Sequence, residues 1–309
     1  MSNFAIITDS ACDLPRALRE KFGIEDYVQG VVIYPDGHSE RADLDWENIT
    51  PREFYGSMKS KDKFCSTAQP APQDFIDVFE KTLKEGRDVL YISISTGLSG
   101  TYGTSCIAAE DLREKYPERK IFCVDSLRYC GGQGMLVIRA SELRAAGKTI
   151  EETAAWLEEN RLCIHQMGVL EDLFFSKRMG RVSGTAAVMG TLVGVRPLAD
   201  INEKGMSDVT GKVKGRKAAY NATIEFMKRT IINPEEQVIL ISHSEREEQA
   251  QIFKQMVEET FHPKEIYINP VSQACGPGIG PGMYAVYYFG TKVTEGLAEE
   301  KRIFAEVSK

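Results

Sequence analysis

Apolar residues fall into two rhythms along this chain. Short unbroken runs, FAIITD at 4–9, VQGVVIY at 28–34, DVLYISI at 88–94 and IFCVD at 121–125, are rich in β-branched and aromatic residues. That is the composition of strands buried on both faces. Between them the pattern stretches to the three-to-four spacing of helices. DLPRALREKFG carries Pro15 near its start and Gly23 past its end. Thr50-Pro51-Arg52-Glu53 and Thr149-Ile150-Glu151-Glu152 both read as capping boxes, the first with proline at the first helical position. From Pro72 to Glu85, Phe75, Ile76, Phe79 and Leu83 share one face, with Gly86 beyond. Strands alternating with helices predict a parallel sheet covered on both sides.

The second half is less regular. CIHQMGVL reads as a strand, and EDLFFSKRMGRVSG leads into an Ala/Val/Met-rich helix. PLADINEKGMSDVTGKV predicts a hairpin around Lys204-Gly205. A helix from about Lys217 to Thr230, strand QVILIS, a charged helix from about Arg246 and strand EIYINPV follow. The loop SQACGPGIGPG precedes a last strand, MYAVYYFG. Hairpins mixed with crossovers predict a mixed sheet. The expected fold class is α/β in two domains: an N-terminal α/β/α domain over 1–165 and a C-terminal mixed-sheet α/β domain over 166–309.

Bulk composition narrows the function. The 309 residues carry a net charge of −7, which argues against a general nucleic-acid binder. No stretch is long and apolar enough to span a membrane, and MSNFAIITDSACDLP lacks the basic start of a signal peptide, so a cytoplasmic protein is expected. Seven scattered cysteines without a CxxC pair read as small buried thiols, not as a zinc site. Lys212, Lys214, Arg216 and Lys217 form one basic cluster, either a solvated hairpin end or a docking patch for an anionic partner.

Chemistry-bearing residues gather where strands end. Ser10, Ser95 and Ser126 close three of the predicted strands in the same way. In an open parallel sheet, ligands bind beyond the carboxyl ends of the strands, so these hydroxyls are expected along one rim. SISTGLSGT at 93–101 adds Thr96, Ser99 and Thr101, with Gly97 and Gly100 allowing close backbone approach. Thr101 is expected to open a helix whose first amides favour an anion. A second polar loop, Cys65-Ser66-Thr67-Ala68-Gln69-Pro70, can close over the same rim. A neutral, donor-rich site beside a helix start suits a carboxylate. The alternative is that Asp9, Asp125 and the serines only cap turns and helices.

A nucleophilic Ser99 is the competing chemistry, but GLSG lacks the spacing of a nucleophile elbow, and a base is required. Of the four histidines, His38, His165, His243 and His262, the strand-ending His243 is the best candidate base. GPGIGPG places Pro281 where a dinucleotide fingerprint needs glycine, and GMSDVTGKV misses the phosphate-loop spacing. No cofactor and no metal are expected.

Taken in order, ITDSACDLP, STAQP, SISTGLSGT, VDS, SKRMGRVSG, KVKGRK and IGPG resemble the motifs of the DegV family over about residues 4–290. These are bacterial fatty-acid-binding proteins that serve a separate fatty acid kinase. The resemblance implies a two-domain fold related to the acceptor domain of dihydroxyacetone kinases, with a long acyl chain in a tunnel between the domains. It implies that Thr67 and Ser99 hold the carboxylate, with the Gly100 amide beside them. Ser10, Ser95, Ser126, Arg178 and Gly278 are further rim candidates, and Phe174 and Phe175 are candidates for the tunnel wall. It also implies a carrier that presents its acyl group to a partner kinase for phospholipid synthesis, without catalytic residues of its own. Two departures stand out. Gly278 occupies the place where carriers of this kind often have histidine, and Met179-Gly180-Arg181 replaces Gly-Gly-Arg. A lipid-sensing protein without a kinase partner is therefore the alternative within the family, and a hydrolase or acyltransferase using Ser99 the alternative outside it.

Overall fold

The computed structural model describes residues 4–58, 60, 64–171, 173–183 and 194–308. The first half runs β1 (Phe4–Asp9), α1 (Arg16–Lys21), β2 (Asp26–Val28), β3 (Val31–Ile33), β4 (Ser39–Arg41), α2 (Pro51–Ser57), β5 (Ser66–Ala68) and α3 (Pro72–Lys84). It continues with β6 (Asp88–Ser93), α4 (Thr101–Lys115), β7 (Ile121–Asp125), α5 (Cys130–Ala145) and α6 (Ile150–Asn160). Strands β2, β1, β6 and β7 form a four-stranded parallel sheet in that order. Both expected capping boxes are present: Glu53 N donates to Thr50 Oγ1 at 3.3 Å, and Glu152 N to Thr149 Oγ1 at 3.2 Å.

Two expectations are corrected. VQGVVIY is not one strand. The chain leaves the parallel sheet after Val28, turns at Gln29-Gly30, and enters a separate three-stranded antiparallel sheet of order β4-β3-β5. Gly30 allows the crossing: its amide donates to Ser10 Oγ at 3.1 Å, and a Cβ there would lie 3.1 Å from the Ala68 carbonyl. STAQP, expected as a loop, supplies the third strand of that sheet, with Thr67 opposite Val32.

The second half contains β8 (Ile164–Val169), α7 (Phe174–Arg178), β9 (Val195–Ile201), β10 (Ser207–Lys214), α8 (Arg216–Thr230), β11 (Val238–His243) and α9 (Glu247–Phe261). After these come β12 (Glu265–Pro270), α10 (Gly276–Ile279), β13 (Tyr284–Phe289) and α11 (Ala298–Val307). Six strands form a mixed sheet of order β10-β9-β8-β13-β11-β12, with only the β11–β12 pair parallel. The β9–β10 pair is the hairpin expected around Lys204-Gly205. The Ala/Val/Met-rich segment after Gly184 lies outside the described residues.

Helix α5 joins the halves. It packs on β1 and β6 of the parallel sheet and on β8, β11 and β13 of the mixed sheet. A helix between two sheets must be narrow and buried all round, and the glycine-rich first part of α5, CGGQGMLVI, is both, while Arg139, Glu142 and Arg144 near its end are only half-buried. A Cβ at Gly131 would lie 2.4 Å from the Tyr287 ring, and one at Gly134 would lie 2.5 Å from the Cys12 carbonyl. Just ahead of α5, the buried Arg128 donates from Nε to the Ile164 carbonyl at 2.8 Å and from Nη1 to the Leu127 carbonyl at 2.7 Å. Burial pulls its guanidinium down to about 10. No described helix is long and apolar enough to cross a membrane.

Candidate ligand-binding site

Strand β1 delivers Asp9 to the carboxyl edge of the parallel sheet. Its buried carboxylate accepts from Ala11 N at 3.0 Å, Ile94 N at 2.9 Å, the Tyr91 hydroxyl at 2.9 Å and Gln133 Nε2 at 3.0 Å. Asp9 thus fixes the exits of β1 and β6 relative to each other. Burial pushes its carboxyl up, against the pull of those donors.

Beyond β6 the chain turns tightly. Ser99 N donates to the Ser95 carbonyl at 3.1 Å, and Thr101 N donates to Ser99 Oγ at 3.3 Å. The Ser99 and Thr101 hydroxyls are 2.7 Å apart. Ser99 therefore presents its hydroxyl beside the first amides of α4, which have no partner four residues back within the helix. Gln69, following β5, reaches across and donates to Thr104 Oγ1 at 2.7 Å. A Cβ at Gly100 would meet Gln69 Oε1 at 2.4 Å, so only glycine allows this approach.

These groups face one cavity of about 220 Å³. Thr67, Gln69, Ser99, Gly100 and Thr101 form a polar part of its wall, and Ala11, Val31, Ile94 and Leu98 an apolar part. The second half of the chain contributes Ser176, Met179, Arg181, Ser207, Gly278 and Ile279. Ser176 Oγ donates to the Gly278 carbonyl at 2.8 Å, and Arg181 Nε to the Leu98 carbonyl at 3.0 Å. The arrangement combines hydroxyl and amide donors with an apolar recess. It suits an amphiphile with a small anionic head.

Five of the site candidates come together there: Thr67, Ser99, Gly100, Ser10 and Gly278. Three do not. The Ser95 side chain is buried and turned away, donating to the Gly205 carbonyl at 2.8 Å and accepting from Gly97 N at 3.0 Å. Ser126 is consumed by a turn, donating to the Arg128 carbonyl and accepting from Arg128 N. Arg178 is exposed, its guanidinium over the Phe64 ring. Thr96 is likewise structural, donating to Asp125 Oδ2 at 2.6 Å. Phe174 and Phe175 are not on the cavity wall, and Phe175 packs against Gly280. Tyr129, Ser176 and Ser207 line the cavity without having been singled out. Ser176 stood in the motif SKRMGRVSG, whereas nothing near Tyr129 or Ser207 in the sequence marks them.

Ser99 and His243 are not brought together. His243 Nδ1 accepts from Arg246 N at 3.3 Å, burial holds its imidazole below the usual range, and none of the four histidines lines the cavity. From the basic cluster, Arg216 lies 3.5 Å from Glu171, which also meets Arg196 at 3.6 Å and Arg246. Burial raises the Glu171 carboxyl, but these guanidiniums outweigh it and hold it below its ordinary value. All seven cysteines are free, and no group of metal-ligating side chains gathers among the described residues.

Comparison with known proteins agrees with this architecture. A family model described as "Uncharacterised protein, DegV family" matches residues 3–291. A DegV domain-containing protein of Clostridium perfringens is 36% identical over 94% of this chain and 98% of its own length. One from Caldanaerobacter subterraneus is 31% identical over 91% of this chain and 95% of its own. Among solved structures, a fatty-acid-binding DegV family protein from Thermus thermophilus is 29% identical, with a TM-score of 0.80 over 94% of this chain and all of its own. The Streptococcus pneumoniae Fatty Acid Kinase (Fak) B3 protein, loaded with linoleic acid, has a TM-score of 0.78 at 22% identity, over 94% of this chain and 99% of its own. With its parallel and mixed sheets joined by α5 and its family match spanning nearly every element, the chain belongs to the DegV family.

Proposed function

We propose that this protein binds a long-chain fatty acid non-covalently between its two domains and presents the carboxyl group to a partner kinase in the cytoplasm. Residues 1–165 hold the head group, and residues 166–309 cover the chain. The observation that carries this reading is the cavity itself: Thr67, Ser99, Gly100 and Thr101 stand together on the wall of a recess that also carries the apolar side chains of Val31, Ile94, Leu98 and Ile279. The Thermus thermophilus relative, named for fatty acid binding, supports the same ligand class.

Energetics divide the work between tail and head. Burying about sixteen methylenes at about 0.8 kcal/mol each stabilises the complex by about 13 kcal/mol before association costs. Each hydrogen bond to the carboxylate contributes about 1.5–3 kcal/mol, offset by desolvation of the head group. The tail sets affinity. The hydroxyls of Thr67 and Ser99 set the orientation and exposure of the head. Acyl transfer to Ser99 is disfavoured because its hydroxyl pairs with Thr101 and has no imidazole beside it.

Isothermal titration of delipidated protein with palmitate tests the reading. Saturable binding of one fatty acid per chain is expected, weakened by joint replacement of Thr67 and Ser99 with alanine. Absence of saturable binding would overturn it.

A further inference from the structure

A second, much smaller cavity of about 10 Å³ lies against the mixed sheet. That is room for about one water or one methyl group. Its base is a row of small residues. Gly168 on β8 is directly opposite Ala199 on β9 and Ala285 on β13, so three neighbouring strands carry glycine or alanine side by side. Gly168 and Ala285 are already close, since a Cβ on Gly168 would lie 2.7 Å from that of Ala285. Gln166 is nearly fully buried on the same wall, and its Oε1 has no hydrogen-bond partner.

Among the described residues, Tyr129 and Ser207 alone line both cavities. Tyr129 is the extended residue just ahead of α5, and Ser207 is the first residue of β10. Their hydroxyls are hydrogen-bonded at 3.0 Å. Ser207 is held in place by its pairing with Ile201 and by Ser183 N, which donates to its carbonyl at 2.8 Å. Tyr129 and Ser207, bonded to each other, therefore stand between the two spaces.

We propose that the Tyr129 ring, held by Ser207, is the inner stop of the acyl cavity and sets the longest chain the protein accepts, with the groove over Gly168, Ala199 and Ala285 closed off behind it. This rests on the reading that the larger cavity holds a fatty acid. Chains that end at the ring gain burial with each carbon. Longer chains must displace the ring and break its bond to Ser207. Removing the ring joins the two spaces and lets the groove receive the chain end.

The test is a series of dissociation constants for saturated acids from decanoate to eicosanoate on delipidated protein. In the wild type, affinity is expected to rise about fourfold per methylene, equivalent to about 0.8 kcal/mol, up to a break beyond which it stops rising. Tyr129→Ala moves the break to longer chains, and adding Ala199→Val to that variant moves it back. Tyr129→Leu, which keeps apolar bulk at this position, serves if the alanine variant fails to melt cooperatively, and it too should move the break outward. A break at the same length in wild type and in a folded Tyr129 variant overturns the stop while leaving fatty acid binding intact. No binding of any acid in the series to wild type overturns the binding reading itself.

Discussion

The Ser95 hydroxyl donates to the Gly205 carbonyl at 2.8 Å, tying the loop after β6 to the tip of the β9–β10 hairpin. Gly205 has φ +73°, and a Cβ there would lie 2.0 Å from Ser95 Oγ. Gly205→Ala should therefore cost about 1–3 kcal/mol through backbone strain and the forced displacement of Ser95. Gly37→Ala is the control: φ is +91° but nothing lies within 4 Å, so only the backbone cost applies. Urea unfolding of both variants should show the larger loss at Gly205, and equal losses would remove the role assigned to this contact.

In the proposed function Ser99 serves two purposes, and its replacement should show both. Ser99→Ala removes the acceptor for Thr101 N, at a cost of about 1 kcal/mol in stability. It also removes one charge-assisted hydrogen bond to the ligand, lowering fatty acid affinity by about tenfold. Thr67→Ala should lower affinity to a similar degree without touching the bond from Thr101 N to Ser99. A serine-directed fluorophosphonate should leave Ser99 unlabelled, and stoichiometric labelling there would return the protein to the class of acyl-transferring enzymes.

The alternation of strands and helices was legible because each buried strand announced itself as an apolar run, and both capping boxes formed as read. Of the candidate hydroxyls, those of Thr67 on β5 and Ser99 in the loop after β6 stand on the cavity wall as expected from their polar segments. Ser95, Thr96 and Ser126 have the same composition, but they spend their hydroxyls on Gly205, Asp125 and Arg128. Nothing local distinguishes a serine facing a ligand from one tying a turn. The split at Gly30 escaped notice because VQGVVIY keeps its apolar character while changing sheets. Tyr129 and Ser207 escaped notice because they are 78 residues apart and meet only through the packing of α5 between the sheets.

Gly278 can accept a side chain. Its φ is outside the left-handed region, and a Cβ there would have nothing within 4 Å. Gly278→His should therefore fold normally, and because Gly278 stands on the cavity wall its fatty acid affinity is measured alongside that of wild type. Phosphorylation of the bound acid by a fatty acid kinase that works with histidine-bearing carriers should be poor on wild type and better on the variant. Efficient turnover on wild type, unchanged by the histidine, would show that glycine here does not limit kinase use.

Asp13 gives stability a pH dependence. Burial pushes its carboxyl up to about 6, while Oδ1 accepts from Ser272 N at 2.8 Å. Because the folded value exceeds the ordinary one, ionisation opposes folding. The protonated form's contribution is fully present below the ordinary carboxylate range and is lost as pH rises through about 6. Asp13→Asn keeps an acceptor for Ser272 and cannot ionise. Its melting temperature relative to wild type should rise as pH goes from about 4 to about 7. A difference that stays constant across that range would contradict the assignment.

The most direct test of the central claim is native mass spectrometry of the protein as purified from cells, repeated after delipidation and after denaturation. The account predicts a mass increment of one long-chain fatty acid that disappears on delipidation and does not survive denaturation. An increment that persists in the denatured chain, or delipidated protein that takes up no added fatty acid, would contradict it.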